Sequence, residues 1–320
     1  MVPAPKQDPL RYDAPLPLEA EFFPMGFPVR IASNSQRVLD AAAKVWGESS
    51  KLFDARLSRI KVSVNDGGSR PQQPVLRGQE HLISIVGDQH NFAIADVREG
   101  FGHICVSHET ATDAAFLRYH FLEPLAYLLI SGRHATLVHS SAIALDGRGV
   151  LLCGASGSGK TCLAFACARA GWTFLSGDAT AIVHGRDDSK IAGRPFEIRF
   201  RHTARQLFPE LERFPRVLRP SGKTDIEIDP RMLGIDCAPE AKASLLVFLD
   251  RGGGEGVDRL ERDEVRRHLD EWVCYGDDET RWLHGLALDR LAELPAVALK
   301  YSNLGFAEKI VRALVEGHGK

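Results

Sequence analysis

Eight consecutive residues, Gly154-Ala155-Ser156-Gly157-Ser158-Gly159-Lys160-Thr161, have the make-up of a cradle for phosphate. They satisfy the pattern Gly-x4-Gly-Lys-[Ser/Thr] in full. Glycines leave room for backbone N–H groups to close around phosphate oxygens, where side chains would block the approach. Lys160 then reaches toward β- and γ-phosphates, and the Thr161 hydroxyl is placed for Mg²⁺. The bland alternative is a glycine-rich turn that matches by accident. The flanks argue against it. Gly149-Val150-Leu151-Leu152-Cys153 is apolar and strand-like, while Cys162 to Ala170 is helix-friendly and stops at Gly171. Strand, loop and helix in this order aim unpaired N–H donors and the positive end of the helix dipole at an anion. The expectation is nucleotide binding.

Further polar residues around this stretch have chemical and bland readings side by side. Asp178 follows a short apolar run after the loop helix, a place suited to a metal-binding carboxylate or to a strand-end turn. His139 sits on a strand-like run before the loop and reads as a core histidine or as a group that titrates near neutrality. Glu197, Arg199 and Arg201 alternate on one side of a strand, either as metal and phosphate contacts or as a charged face. Lys223, in Pro220-Ser221-Gly222-Lys223-Thr224, is a loop cation, and Asp187-Asp188 reads as a turn.

The elements that must position these residues divide the chain into three parts. Residues 1–24 are Pro-rich and polar and read as a flexible arm. Residues 25–110 read as a smaller α+β domain. A strand lies near Phe27–Ile31, and a helix capped at Ser33-Asn34-Ser35 runs to Gly47. Strands follow at Arg59–Val64, His81–Val86, Asn91–Val97 and His103–Val106, dominated by antiparallel pairing. Residues 111–320 form the nucleotide-binding part. They open with a helix over Ala111–Ile130, interrupted at Pro124. A strand over Thr136–Leu145 then turns through Asp146-Gly147-Arg148-Gly149 into the strand before the loop. Strands at Trp172–Leu175, Ala179–Val183, Lys190–Ala192, Glu197–Phe200 and Ala243–Leu249 follow. Helices near Arg262–Val273, His284–Glu293 and Gly305–Glu316 complete the chain.

Composition narrows the class. At 320 residues, 44% hydrophobic and 26% charged, the chain is ordinary for a soluble protein of two domains. A net charge of −2 argues against a dominant nucleic-acid surface. No apolar run nears the ~20 residues of a membrane helix, and the N-terminus lacks the apolar core of a secretory signal. The six cysteines show no C-x-x-C pair and no zinc spacing, so a reducing cytoplasm is the expected compartment.

The stretch from Thr136 to Phe200 resembles the HPr kinase/phosphorylase family. His139-Ser140-Ser141-Ala142-Ile143-Ala144-Leu145 is similar to the family's His-led strand before the phosphate loop. Ala170-Gly171-Trp172-Thr173-Phe174-Leu175-Ser176-Gly177-Asp178 looks like the segment that in the family ends in two aspartates. Phe196-Glu197-Ile198-Arg199 looks like the family's Glu-Ile-Arg segment, whose glutamate helps hold the metal. The resemblance implies an α/β fold like phosphoenolpyruvate carboxykinase, with ATP and Mg²⁺ as cofactors. It implies phosphoryl transfer to a serine hydroxyl on a protein, peptide or small molecule. Lys160, Asp178 and His139 would be catalytic, and Thr161, Asp178 and Glu197 would hold the metal. Family members often form oligomers. One departure stands out: Gly177 occupies the first aspartate position. A glycine neither binds metal nor accepts a proton. Two alternatives therefore stay open, a nucleotide-binding regulatory module with weakened catalysis and a nucleotide hydrolase using water.

Overall fold

The computed structural model describes residues 15–185, 189–218, 224–251, 254–271 and 276–317. The expected turn at Asp187-Asp188, the loop cation Lys223, Cys274 and most of the N-terminal arm lie outside these residues. The chain is a mixed α/β protein. It divides into two compact units, one drawn from Met1–Arg133 and Tyr275–Thr280, the other from His134–Cys274 and Arg281–Lys320.

The first unit is built on a seven-stranded sheet. In chain order its strands are β1 (Leu18–Phe22), β2 (Val29–Ser33), β3 (Ser58–Asn65), β4 (Val75–Gln79), β5 (Leu82–Val86), β6 (Phe92–Asp96) and β7 (Phe101–Ser107). They are arranged β1-β2-β3-β7-β6-β5-β4. β2, β3 and β7 run parallel, and the remaining pairs are antiparallel. Helix α1 (Gln36–Trp46) buries Val38, Leu39, Ala41, Ala42 and Trp46. Its expected serine cap differs in detail, because Ser35 makes no side-chain cap and Asn34 instead bonds the backbone of Val64. The helix expected over Ala111–Ile130 is a short α2 (His108–Thr112) followed by α3 (Ala114–Leu117) and α4 (Glu123–Ser131), which a π-helical turn over Arg118–Leu122 joins into one run. Asp113 caps α3 through Phe116 N, and Pro124, which has no N–H to donate, directly follows the π-helical turn, where Glu123 N donates to Arg118 O. These pieces lie in the first compact unit.

The second unit carries a nine-stranded sheet. The expected single strand Thr136–Leu145 is two strands. β8 (Ala135–Val138) pairs with β12 (Thr180–Val183) and β9 (Ser141–Leu145) pairs with β10 (Arg148–Cys153), so the chain changes partner at His139-Ser140. β9 and β10 are joined by Asp146 (φ 49°) and Gly147 (φ 77°), the two positive φ values of a tight hairpin turn. Helix α5 (Lys160–Arg169) follows β10, and β11 (Thr173–Ser176) returns beside β9. β13 (Lys190–Ala192) joins β12. A separate three-stranded sheet holds β14 (Ile198–Arg201), β15 (Val217–Leu218) and β16 (Thr224–Ile228), in the order β14-β16-β15. The long β17 (Glu240–Asp250) lies parallel to β10 and, on its other edge, parallel to β19 (Ala296–Lys300), which also pairs with β18 (Gly256–Arg259). Helices α6 (Arg262–Asp270), α7 (Asp278–Ala292) and α8 (Leu304–Gly317) complete the described elements.

Strand alternation distributes the second unit's core over both sheet faces. Val150 and Leu152 of β10 face a cluster with Phe165 of α5, Phe200 of β14, Phe208 and Val311 of α8. Leu151 and Cys153 face the opposite cluster with Val265 and Leu269 of α6 and Leu288 and Leu291 of α7. A strand covered on both faces reads as a continuous apolar run, which is what Val150 to Cys153 shows.

Candidate functional site

β10, β17 and β19 point the same way, so their carboxyl ends at Cys153, Asp250 and Lys300 share one edge. Ligands of parallel α/β sheets bind outside such an edge. The Gly154–Gly159 loop leaves from it and enters α5 at Lys160. Gly154, Gly157 and Gly159 have φ of 135°, 90° and 94°. A Cβ on Gly154 would approach Leu249 O to 2.9 Å, and one on Gly159 would collide with Tyr301 Oη. Gly154 and Gly159 are thus required by both backbone conformation and space, and Gly157 by its conformation alone.

The loop lines a cavity of about 500 Å³. Lys160 is only 6% exposed, and its Nζ donates to the loop's own carbonyls, Gly154 O at 2.7 Å and Ala155 O at 3.1 Å. Burial lowers its pKa, while the Asp178 charge acts in the opposite direction. The Thr161 hydroxyl donates to Gly177 O at 2.9 Å, and Ser141 Oγ donates to the same oxygen at 2.7 Å. Ser158 Oγ is buried with no hydrogen-bond partner among the described residues.

His139 and Asp178 meet at the rim of this cavity. The strand break at His139-Ser140 brings His139 Nδ1 to 3.1 Å from Asp178 O and 3.3 Å from Asp178 Oδ1. Both side chains are open to solvent, at 44% and 65%. Gly177 contributes only its carbonyl, which accepts from both Thr161 and Ser141. A Cβ there would meet Ile198 Cγ1 at 3.4 Å and Phe174 Cζ and Thr161 Cγ2 at 3.7 Å, ordinary contacts.

Glu197 is placed differently. It pairs with Arg194 Nη2 at 3.1 Å and with Arg199, and it is not among the residues lining the cavity. The expected alternation of Glu197, Arg199 and Arg201 forms a charged face against β16, with Arg199 in register with Glu227 and Arg201 with Asp225. Asp225 does line the cavity, is 3% exposed, and lies 3.9 Å from Arg201 Nη1. Sequence reasoning missed Asp225, Tyr301 and Arg251. The alternation Asp225-Ile226-Glu227-Ile228 was a signal for a half-buried strand. Tyr301 Oη donates to Ser158 O at 2.6 Å from the end of β19.

Lys160, Arg199, Arg201 and Arg251 oppose Asp178 and Asp225 along the cavity wall, so cations prevail. Among the described residues no cluster of three or more His, Cys, Asp or Glu is placed to hold a metal ion by itself, and no helix is long and apolar enough to cross a membrane.

No family model and no curated protein matches the chain. Among solved structures it is similar to the HPr(Ser) kinase/phosphatase from Coxiella burnetii, with 14% identity and a TM-score of 0.33 over 58% of this chain and 99% of that chain.

Proposed function

We propose that the chain binds ATP with Mg²⁺ and transfers the terminal phosphoryl group to a serine hydroxyl of a protein, peptide or small molecule, as an HPr-kinase-like phosphotransferase of the cytoplasm. The observation that carries this reading is the Gly154–Thr161 loop, set between a buried parallel strand and α5, with its lysine and threonine on a cation-lined cavity. The residues fit the nucleotide. The loop glycines are held where side chains cannot follow, Ser158 Oγ is buried without a partner, and the net positive wall suits polyphosphate.

Bound MgATP supplies an activated phosphorus and part of the charge neutralisation. The chain's residues do the rest. Backbone N–H groups of the loop and the start of α5 orient the phosphates. Lys160, now on Gly154 O and Ala155 O, would exchange these carbonyls for phosphate oxygens. Thr161 would hold the metal through its oxygen, and its proton already has an acceptor in Gly177 O. Asp178 is the carboxylate at the rim that takes the acceptor's proton or contacts the metal, and His139 at 3.3 Å orients it. Glu197 would serve the metal only after leaving Arg194 and Arg199. The direct test is Lys160→Ala assayed with radiolabelled ATP. Loss of most ATP turnover is expected, and unchanged ATP-dependent transfer would sink the assignment.

Gly177 favours a second reading, a nucleotide-binding regulatory module. The position has room for a Cβ, so Gly177→Asp tests it. A native chain that transfers no phosphate and a variant that does would identify a degenerate kinase. Label released as free phosphate would instead identify a hydrolase.

A further inference from the structure

Arg251 is a cation that the phosphate-loop motif does not include. It follows β17 directly, on the carboxyl edge from which the Gly154–Gly159 loop also departs. It is exposed and lines the same cavity as Gly157, Gly159, Lys160 and Thr161. Its Cδ lies 3.5 Å from the Cβ position of Gly159, which places its stem against the loop's last turn. Its guanidinium lies 5.7 Å from the ring centroid of Tyr301. Tyr301 is fixed in turn, because it is 1% exposed and its hydroxyl donates to Ser158 O. Burial raises the pKa of Cys162 and of Tyr301, the latter to about 12, and the Arg251 charge opposes both shifts. Arg251 therefore stands near the ring and near the third residue of α5 at once.

The other cavity cations are held by their own surroundings. Arg199 pairs with Glu197 and Glu227, Arg201 faces Asp225, and Lys160 is turned onto loop carbonyls. Arg251 makes no ion pair among the described residues. Arginine stays charged at any working pH, and its planar fork matches phosphate oxygens two at a time.

We propose that Arg251, seated on the ring of Tyr301, is a phosphate ligand supplied within the chain and directed at the terminal phosphate of the bound nucleoside triphosphate. The proposal rests on the nucleotide-binding reading of the loop and adds a residue to it. In the transfer step the bond from the bridging oxygen to the terminal phosphorus breaks, and its electron pair leaves on the nucleoside diphosphate. The acceptor oxygen bonds to phosphorus and its proton passes to Asp178. Arg251 keeps its proton throughout and neutralises charge on the transferred oxygens. Tyr301 is a positioning residue, acting through Arg251 and the loop.

The test compares dissociation constants of MgATP and MgADP for the full-length native chain, Arg251→Ala and Arg251→Lys, with a thermal melt of each. A ligand of the terminal phosphate discriminates between the two nucleotides. Arg251→Ala is expected to weaken MgATP at least tenfold and to change MgADP less than about twofold. Arg251→Lys should recover part of the difference, since it keeps the charge and loses the fork. Where the native chain transfers phosphate, Arg251→Ala should lower single-turnover rate on the order of 10³-fold, the low end for such arginines. Equal effects on MgATP and MgADP, or none, in folded variants overturn the proposal while leaving nucleotide binding intact. A native chain that binds neither nucleotide overturns the nucleotide reading, and the assignment of Arg251 with it.

Discussion

The contact between Gly159 and Tyr301 can be tested by a double-mutant cycle on Gly159→Ala and Tyr301→Phe. Gly159 has φ 94° and ψ 12°, a left-handed conformation. Holding an alanine there costs about 1–2 kcal/mol. Its Cβ would also occupy the place of Tyr301 Oη, whereas the next ring atom, Cζ, is 3.5 Å away and tolerable. To make room, the phenol must leave Ser158 O and break a part-buried 2.6 Å hydrogen bond, at a further cost of about 1–3 kcal/mol. Gly159→Ala alone should therefore lose about 2–5 kcal/mol. Tyr301→Phe alone leaves Ser158 O short of its donor and should lose about 1–2 kcal/mol. It also removes the colliding atom. In the Tyr301→Phe background, Gly159→Ala should cost only its backbone strain. The two changes are then less than additive by about 1–3 kcal/mol, well beyond the ~0.5 kcal/mol scatter of independent sites. Urea unfolding of the four proteins, with m values compared to check that the denatured states match, measures the cycle. Additivity within that scatter would mean that the phenol does not pin the loop, and the account of Tyr301 as a positioning residue would fail.

Three further outcomes follow from the second unit. His284 is buried beside Thr136, whose hydroxyl also meets His184, and burial lowers its pKa to about 4. A histidine that stays neutral in the fold contributes stability that is complete above its unfolded pKa near 6.5 and is lost as pH falls toward 4. By pH 5 the loss should be about 2 kcal/mol, and denaturant titrations of native protein and His284→Gln at pH 7.5 and 5 should show the variant losing less than the native protein by about that amount. Phe165 of α5 packs edge-on to Phe200 at 5.0 Å and Phe208 at 4.8 Å and is fully buried. Phe165→Ala should cost about 3–5 kcal/mol in unfolding free energy, because α5 loses the contact that ties it to the β14–β16 sheet. Asp178→Asn should reduce phosphoryl transfer about 10²–10⁴-fold in single-turnover assays, the usual worth of a general base, and an unchanged rate would remove Asp178 from the proton path.

Much of the site's local scaffold was legible because its signals are local. The run Val150–Cys153, the loop glycines and the helix to Gly171 lie within two dozen residues, and each element is set by its own sequence. The break at His139 was not legible. Thr136–Leu145 is apolar enough for one strand, and only the pairing of β8 with β12 and of β9 with β10 forces the change of partner. That break matters because it turns His139 out of the sheet toward Asp178. The helical run over residues 108–131 was half legible. Pro124 marks the π-helical turn before it, but Asp113 capping Phe116 N reads as an ordinary helix residue until the backbone is seen to restart there. Tyr301 and Asp225 come from strands far along the chain. A phenol at the end of β19 becomes a loop clamp only once β19 is known to lie parallel to β17 on the edge shared with β10.

The glycine at 177 bears on the threonine as well as on the missing carboxylate. Thr161 has one hydroxyl proton, and Gly177 O takes it at 2.9 Å. A hydroxyl whose proton is committed presents its oxygen lone pairs elsewhere, which is the arrangement a cation needs. Ser141 Oγ holds the same carbonyl at 2.7 Å, so the acceptor is fixed from the β9 side. Gly177 thus retains through its backbone the orientation of Thr161, while its side-chain position offers no charge. Asp178 is the carboxylate beside His139, with Asp225 the other on the cavity wall, and it cannot serve metal and proton with the same oxygen. Its Oδ1 faces His139. If Asp178 turns to the metal, the acceptor's proton must go to His139 or to water. If Asp178 is the base, Thr161 would hold the metal, with Asp225 on the cavity wall as the other carboxylate at hand, which suits Mg²⁺, a cation that often keeps few protein ligands. These routes separate by experiment. In the first, Asp178→Asn weakens metal dependence of nucleotide binding. In the second, it leaves that binding alone and slows only the transfer.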